Sequence, residues 1–281
     1  MKNIFITMLK GLWIGGTLTV PGVSGGSMAM ILGIYDRLIE SVGAFLHRNG
    51  DRKKAFFYLL ETGGAGAVGF VLFSGLVSML MERFPLLVCF FFAGAIAGGI
   101  PIILKASGMR RPKPIDFVFI LIGAAFVYAI SLVPDGFFSF SSNMSFGGIL
   151  LQLLGGFIVA IGFVLPGISL SQMLYMLGIY KELMDNVSKL RFLPLIPFAI
   201  GGIAGVLFTA FVMEKVMHRF PRATYLVIFG FLIGSIPQIF GGKALGGQTP
   251  WFYVLCGVIT LLGFAAICAM SLPELLKKKE V

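Results

Sequence analysis

Residues 21–35 read Pro21-Gly22-Val23-Ser24-Gly25-Gly26-Ser27-Met28-Ala29-Met30-Ile31-Leu32-Gly33-Ile34-Tyr35. Residues 166–180 read Pro166-Gly167-Ile168-Ser169-Leu170-Ser171-Gln172-Met173-Leu174-Tyr175-Met176-Leu177-Gly178-Ile179-Tyr180. The offset is 145, and ten of the 22 positions in 21–42 are identical in 166–187, where composition alone gives about two. A second match at offset 136 pairs Arg83-Phe84-Pro85 with Arg219-Phe220-Pro221, and Gly98-Gly99-Ile100-Pro101 with Gly234-Ser235-Ile236-Pro237. One unit is written twice.

Proline removes an N–H and glycine relaxes the backbone, so adjacent Pro and Gly stop a helix. Half-helices then flank each break, at roughly 10–20 and 27–42, and at 148–165 and 171–187. Each is short against the roughly 20 apolar residues that cross a bilayer. This predicts two re-entrant hairpins whose turns lie at membrane depth, where irregular backbone survives only buried in protein or lining a wet cavity.

The surroundings are those of a membrane protein. Of 281 residues 58% are hydrophobic and only 12% charged, with a mean hydropathy of +0.98, too little polar surface for a water-soluble globule. Continuous apolar runs at 55–81, 86–104, 115–133, 194–214, 222–240 and 251–270 are spanning helices and not alternating barrel strands. The expected architecture is an all-α integral membrane protein of two repeats: 1–145, with a hairpin at about 4–42 and three spans, and 146–281, with a hairpin at about 148–187 and three spans. Three spans between the hairpins invert the second repeat relative to the first, and counting each hairpin as two full spans gives the same parity.

Charge fixes the orientation. With a cytoplasmic N-terminus, 17 of the 22 Lys and Arg fall inside, among them Lys2, Lys10, Arg37, Arg48, Arg110 and Lys277 to Lys279. Arg83, Lys181, Lys189, Arg191 and Lys243 fall outside, and the 134–145 loop carries Asp135 and no cation. The positive-inside rule then places both termini in the cytoplasm, and the net charge of +10 reports topology, not a nucleic-acid partner. Cys89, Cys256 and Cys268 lie inside apolar runs without ligand spacing, so neither disulfides, a metal nor another cofactor is expected. Lys10 interrupts the first apolar stretch and no small-residue cleavage site follows, which argues against a cleaved signal peptide.

The second half of each hairpin begins at the break, so its free N–H groups and positive dipole end face the membrane interior and favour an anion. Gly22, Ser24, Gly25, Gly26 and Ser27 supply open backbone and hydroxyls there, and Gly167, Ser169, Ser171 and Gln172 supply the equivalent from the opposite side. Broken helices at the interface of inverted repeats are a recurring plan for transporter substrate sites, although small residues also serve close helix packing. Arg37 and Arg48 at the inner mouth and Lys181, Lys189 and Arg191 at the outer mouth are candidate attractors of an anionic headgroup; Glu182 and Asp185 would make the outer group a neutral cluster. Glu61 and Glu214, near span ends, are candidate carriers of a coupling proton or ion, or interfacial acids. Gly22-Val23-Ser24-Gly25-Gly26 also fits the nucleophile-elbow pattern of a serine hydrolase. The required base is poorly supplied, because His47 and His218 both lie in charged segments at run ends. The residues thus give an anion-binding membrane transporter and not an enzyme, with a small-anion carrier or channel and an intramembrane serine hydrolase as alternatives.

Pro21 to Ala29 followed by Leu32-Gly33-Ile34-Tyr35, with the degenerate second copy, resembles the PopT-type polyprenyl-phosphate transporters, a bacterial family long catalogued as a domain of unknown function. The resemblance spans nearly the whole chain. It implies translocation of undecaprenyl phosphate, the lipid carrier of cell-wall synthesis, from the outer to the inner leaflet of the bacterial plasma membrane. Lipid would then be the partner and polyprenyl phosphate the substrate. The family's paired Pro-Gly-x-Ser motifs carry over onto Pro21, Gly22 and Ser24, and onto Pro166, Gly167 and Ser169. Leu170 stands where members of the family tend to have glycine, which makes the first hairpin the stronger candidate for phosphate contact.

Overall fold

The computed structural model describes residues 2–18, 20, 22–47, 50–109, 111–136, 145–189, 191–241, 246 and 249–276. The first six helices are α1 Lys2–Thr17, α2 Gly25–Ile31, α3 Tyr35–Gly43, α4 Arg52–Arg83, α5 Pro85–Ser107 and α6 Pro114–Ser131. The next six are α7 Phe146–Val164, α8 Leu170–Met176, α9 Tyr180–Ser188, α10 Ile196–Arg219 (entered through a 3-10 turn, Leu193–Leu195), α11 Pro221–Phe240 and α12 Pro250–Leu276. No strand occurs among the described residues. Seven stretches are long and apolar enough to cross a membrane: α4, α5, α6, α7, α10 with its leading turn, α11 and α12. The outer helices turn large apolar side chains outward, Val71 at 74%, Leu121 at 67% and Leu261 at 68% exposure, a surface that only lipid covers at low cost. The protein is an all-α, multi-pass membrane protein.

Two expectations change. The stretch 148–165, expected as a short half-helix, belongs to the 19-residue α7, about 28 Å at 1.5 Å per residue and long enough to span. Its start moves back to Phe146 because Ser145 Oγ accepts the Gly148 N–H at 3.2 Å, a side-chain N-cap. The second change concerns 27–42 and 171–187, each expected as one arm. Each is two helices, separated at the repeated Leu-Gly-Ile. Gly33 (φ 69°) and Gly178 (φ 71°) are left-handed, the Gly33 N–H donates to Met30 O and the Ile34 N–H to Ala29 O, both at 3.0 Å, and Gly178 and Ile179 bond Tyr175 O and Leu174 O in the same pattern at 2.9 and 3.1 Å. That pair of bonds is the Schellman stop. Glycine is needed because a Cβ at such φ crowds the following carbonyl.

Packing fixes the directions. A carbon added at Gly11 would meet Thr62 O and one at Gly15 would meet Gly66 O. Four residues along α1 thus match four along α4, and the two helices run the same way. Gly201 against Leu153 O and Gly205 against Phe157 O give the same result for α10 and α7. Between each parallel pair the chain has to come back, and α2 with α3, of 7 and 9 residues, matches the 16 residues of α1. The remaining pairs cross the halves: Gly94 and Gly98 seat α5 on Thr260 and Phe264 of α12, and Gly230 and Gly234 seat α11 on Ile120 and Ala124 of α6, again in parallel. Asp116 of α6, 1% exposed, accepts Arg222 Nε at 2.8 Å and Nη2 at 2.6 Å, so a two-pronged ion pair joins the starting ends of α6 and α11.

Replacing Gly33 with Ala is expected to cost about 1–2 kcal/mol, the penalty of a left-handed L-residue. A lower melting temperature of the purified protein in detergent checks this, and an unchanged one means that the turn does not depend on its handedness.

Candidate functional site

Each break is a turn that only glycine completes. The Val23 N–H donates to Val20 O at 3.1 Å across the first break, and Gly22 and Gly167 have φ of 81° and 86°, the positive values that glycine accepts without strain. Pro21 itself lies outside the described residues. Both glycines also rest on one helix: a Cβ at Gly22 would stand 2.8 Å from the Gln238 carbonyl carbon, and one at Gly167 would stand 2.6 Å from Phe231 O. Helix α11 backs both breaks.

The two breaks touch. The Gly167 N–H donates to Ser27 Oγ at 2.7 Å in a buried bond across 140 positions of sequence. A Cβ at Gly26 would lie 3.0 Å from Val164 O and 3.2 Å from the nitrogen of Pro166, and the Tyr35 hydroxyl donates to Val164 O at 3.0 Å. Four of the expected site residues, Gly26, Ser27, Pro166 and Gly167, thereby meet at one junction. Ser24 and Ser169 occupy the N-cap positions of α2 and α8 in extended conformation, yet neither side chain caps its helix. Ser169 instead pairs with Ser171, hydroxyl to hydroxyl at 2.9 Å. Gln172 lies half-buried on α8. Arg37 is not brought to the junction: it is exposed on α3 with its guanidinium 4.0 Å above the Tyr58 ring, a cation–π contact.

Gly25 and Gly26 open onto a cavity of about 570 Å³ walled by α1, α3, α4, α7 and α10, among its lining Leu18, Tyr35, Gly63, Phe70, Phe163 and Val206. No residue from 166 to 172 lines it. The walls are almost wholly apolar, with Tyr35 and Thr62 the polar side chains among them: an apolar trough that reaches the start of α2, a shape that suits a long hydrocarbon.

Several sequence candidates fall elsewhere. Lys10, expected as an inner-surface charge, is 1% exposed, and its Nζ donates to Leu32 O at 2.7 Å; it completes the C-terminal end of α2, where a cation is favoured. The bare sequence offered one clue to it, a lysine inside an apolar helix. Glu214 Oε2 lies 3.0 Å from His47 Nε2, and His218 lies 3.8 Å from Glu40, so both histidines are engaged with carboxylates and not with Ser24. Lys189 pairs with Asp185 at 2.7 Å, which neutralises one member of the outer basic group. Glu61 is half-buried on α4, and Arg48 lies outside the described residues.

Ser27→Ala is expected to leave the buried Gly167 N–H unsatisfied and to cost about 1–3 kcal/mol. Gly26→Ala meets rigid backbone, whereas Gly25→Ala meets only Leu18 Cδ2 at 3.0 Å. The melting temperatures should therefore rank Gly25→Ala above both others, and equal losses in all three would remove the junction as a packing centre.

Comparison with known proteins places this geometry. A family model described as VCA0040-like, undecaprenyl phosphate translocase-like, matches residues 14–250. The polyprenyl-phosphate transporter of Vibrio cholerae serotype O1 is 27% identical over 258 residues, covering 86% of this chain and 79% of that protein. The polyprenyl-phosphate transporter of Staphylococcus aureus is 29% identical over 285 aligned positions, 98% of each chain. No solved structure matches. With the family model spanning both breaks and all but the ends of the chain, the protein belongs to the undecaprenyl phosphate translocase-like family.

Proposed function

We propose that the chain carries undecaprenyl phosphate across the bacterial plasma membrane, from the outer to the inner leaflet, with the phosphate held at the first break and the isoprenoid tail in the apolar cavity beside it. The observation that carries this is the cavity itself. It reaches the head of α2 at Gly25 and Gly26, the residues that directly follow Ser24, whose side chain does not cap its helix. A free small anion would gain nothing from such walls, and a polyprenyl phosphate uses both parts. Family membership and two relatives named for polyprenyl-phosphate transport support the same substrate.

The two halves, 1–145 and 146–281, act as inverted repeats in this proposal. Parallel α1 with α4 and parallel α7 with α10 support it, since each parallel pair requires its intervening short helices to return the chain to the side it entered from. The second hairpin, with Leu170 in place of Gly25 and the Ser169–Ser171 pair in place of an open hydroxyl, braces the first through Gly167. Both termini are cytoplasmic, following the 17 of 22 basic residues; in a cysteine-free background, Gly246→Cys should label from outside sealed cells and Lys53→Cys should not, and the reverse pattern overturns the orientation.

Transport is tested by leaflet-to-leaflet movement of undecaprenyl phosphate in proteoliposomes. Gly25→Leu places its side chain into the trough, displacing only the flexible Leu18 and Ile14 ends, and should abolish movement while leaving the melting temperature near wild type. Ser24→Ala should weaken but not abolish it, since one hydrogen bond to a charged group is worth about 1.5–3 kcal/mol and the N–H donors remain. Neutral polyprenol should compete poorly. Full transport by Gly25→Leu removes the cavity from the mechanism, equal competition by polyprenol removes phosphate recognition, and a preference for soluble anions makes the protein a small-anion carrier.

A further inference from the structure

The two halves end their short middle helices in the same way but balance them differently. In the first half Leu32 is the C-cap of α2, and the Lys10 ammonium, on a side chain 1% exposed, donates to its carbonyl at 2.7 Å. In the second half Leu177, also 1% exposed, is the C-cap of α8, and Gly178 closes the same left-handed stop. The repeat offset of 145 sets Gly155 opposite Lys10. Packing keeps that register: one position further along, Gly11 of α1 rests on Thr62 O and Gly156 of α7 rests on Phe198 O. The carbonyl end of α8 is thus built like that of α2, without the side chain that brings α2 its cation. Lys181, the next basic residue along the chain, is exposed.

Oxygen donors gather at that end instead. Gly162 faces Ile168 and Met173, so Gly155, two turns earlier on the same face of α7, faces the later part of α8. Helical side chains lean toward the N-terminus, and a lysine at 155 would lie over the turn that holds Gln152. The Gln152 side chain is 6% exposed, and among the described residues neither its Oε1 nor its Nε2 has a hydrogen-bond partner. Buried polar groups are rarely left so. From the other side, the Gly136 N–H donates to Tyr175 O at 2.8 Å. That bond seats the loop after α6 on the last turn of α8 and brings the exposed Asp135 beside it.

We propose that the C-terminal end of α8 is a binding site for a small monovalent cation, which takes the place in the second half that the Lys10 ammonium takes in the first. The Leu177 carbonyl, Gln152 Oε1 and the Asp135 carboxylate are its oxygen donors. Oxygen alone suits a hard cation of the sodium type and not a soft transition metal, and one carboxylate answers the one charge that the ammonium carries in the other half. Carbonyl ends of broken helices hold coupling ions in transporters built on inverted repeats. Gln152 lies six residues from the start of α7, about 9 Å along the helix, so the site is close to the mouth at which α7 begins. On the transport reading this is the outer mouth, and the ion is one that enters there and couples to lipid movement; binding itself does not rest on that reading.

The test is thermal unfolding of the purified chain in detergent, in sodium chloride against choline chloride at equal ionic strength. Sodium should raise the melting temperature saturably by about 2–5 °C, the scale for a ligand at roughly ten times its dissociation constant. Gln152→Leu removes the buried donor at similar volume and should lose that shift, and Asp135→Asn should weaken it. Gly155→Lys supplies a tethered ammonium and should make the chain indifferent to sodium. A wild-type melting temperature equal in the two salts overturns the site, as does a full sodium shift in Gln152→Leu or in a folded Gly155→Lys. None of these measurements involves lipid, so the site can fail while the transport reading stands. Movement of undecaprenyl phosphate that ignores a sodium gradient across proteoliposomes removes the coupling role alone.

Discussion

A backbone N–H freed by a broken helix at membrane depth has no water to bond, and leaving it bare costs several kcal/mol. The hydrogen bond from the Gly167 N–H to Ser27 Oγ answers that constraint, and much of the structure follows from it. The donor belongs to one break and the acceptor to the other, so the second turn is satisfied only when both halves are assembled. Gly26 has to lack a side chain for the two to come within reach, because Val164 O and Pro166 occupy the space. Helix α11 has to pass behind both, because Gly22 and Gly167 lean on its backbone. Lys10 then finishes what the break began, placing its charge on the carbonyl end of α2.

The long helices serve this junction by approaching closely. In lipid there is little hydrophobic gain from bringing two apolar helices together, so contact depends on fit, and small residues permit it. Gly15 against Gly66 and Gly201 against Leu153 bring backbone to backbone within each half, and Gly94 against Thr260 and Gly230 against Ile120 do so between halves. Because α5 pairs with α12 and α6 with α11, the halves exchange their last helices. The breaks sit inside a frame that neither half makes alone.

How far the sequence reveals this depends on the kind of feature. The spans were legible because twenty apolar residues announce themselves, and the breaks because Pro-Gly-x-Ser occurs twice at one offset. The Leu32-Gly33-Ile34 stop was present in the same alignment, in the repeated glycine, but a lone glycine in an apolar run also reads as packing, and only its φ of 69° distinguishes the two. From sequence Lys10 reads as a surface charge, because its partner, a carbonyl 22 residues away, leaves no mark in composition. Arg37 has the right sign for an anion, and the Tyr58 ring takes it instead. Pairings such as Asp116 with Arg222 or Asp36 with Tyr225 join residues more than a hundred positions apart, beyond any local pattern.

The two copies of the break differ in what their polar groups already hold. A symmetric pair of turns offers two equivalent donors, yet each can be either satisfied by its neighbour or left for a ligand. At the second break the Gly167 N–H is already spent on Ser27, Ser169 is spent on Ser171, and Leu170 stands where Gly25 stands in the first. At the first break Ser24 caps nothing, and Gly25 faces the large apolar cavity with only Leu18 and Ile14 side-chain ends nearby. Three successive residues differ between the two copies, Gly25 against Leu170, Gly26 against Ser171 and Ser27 against Gln172, and in the proposed function they separate the roles. The second break closes on protein as the brace, because the hydrogen bond that joins the two breaks consumes its Gly167 N–H, and the first is the one that would receive the phosphate.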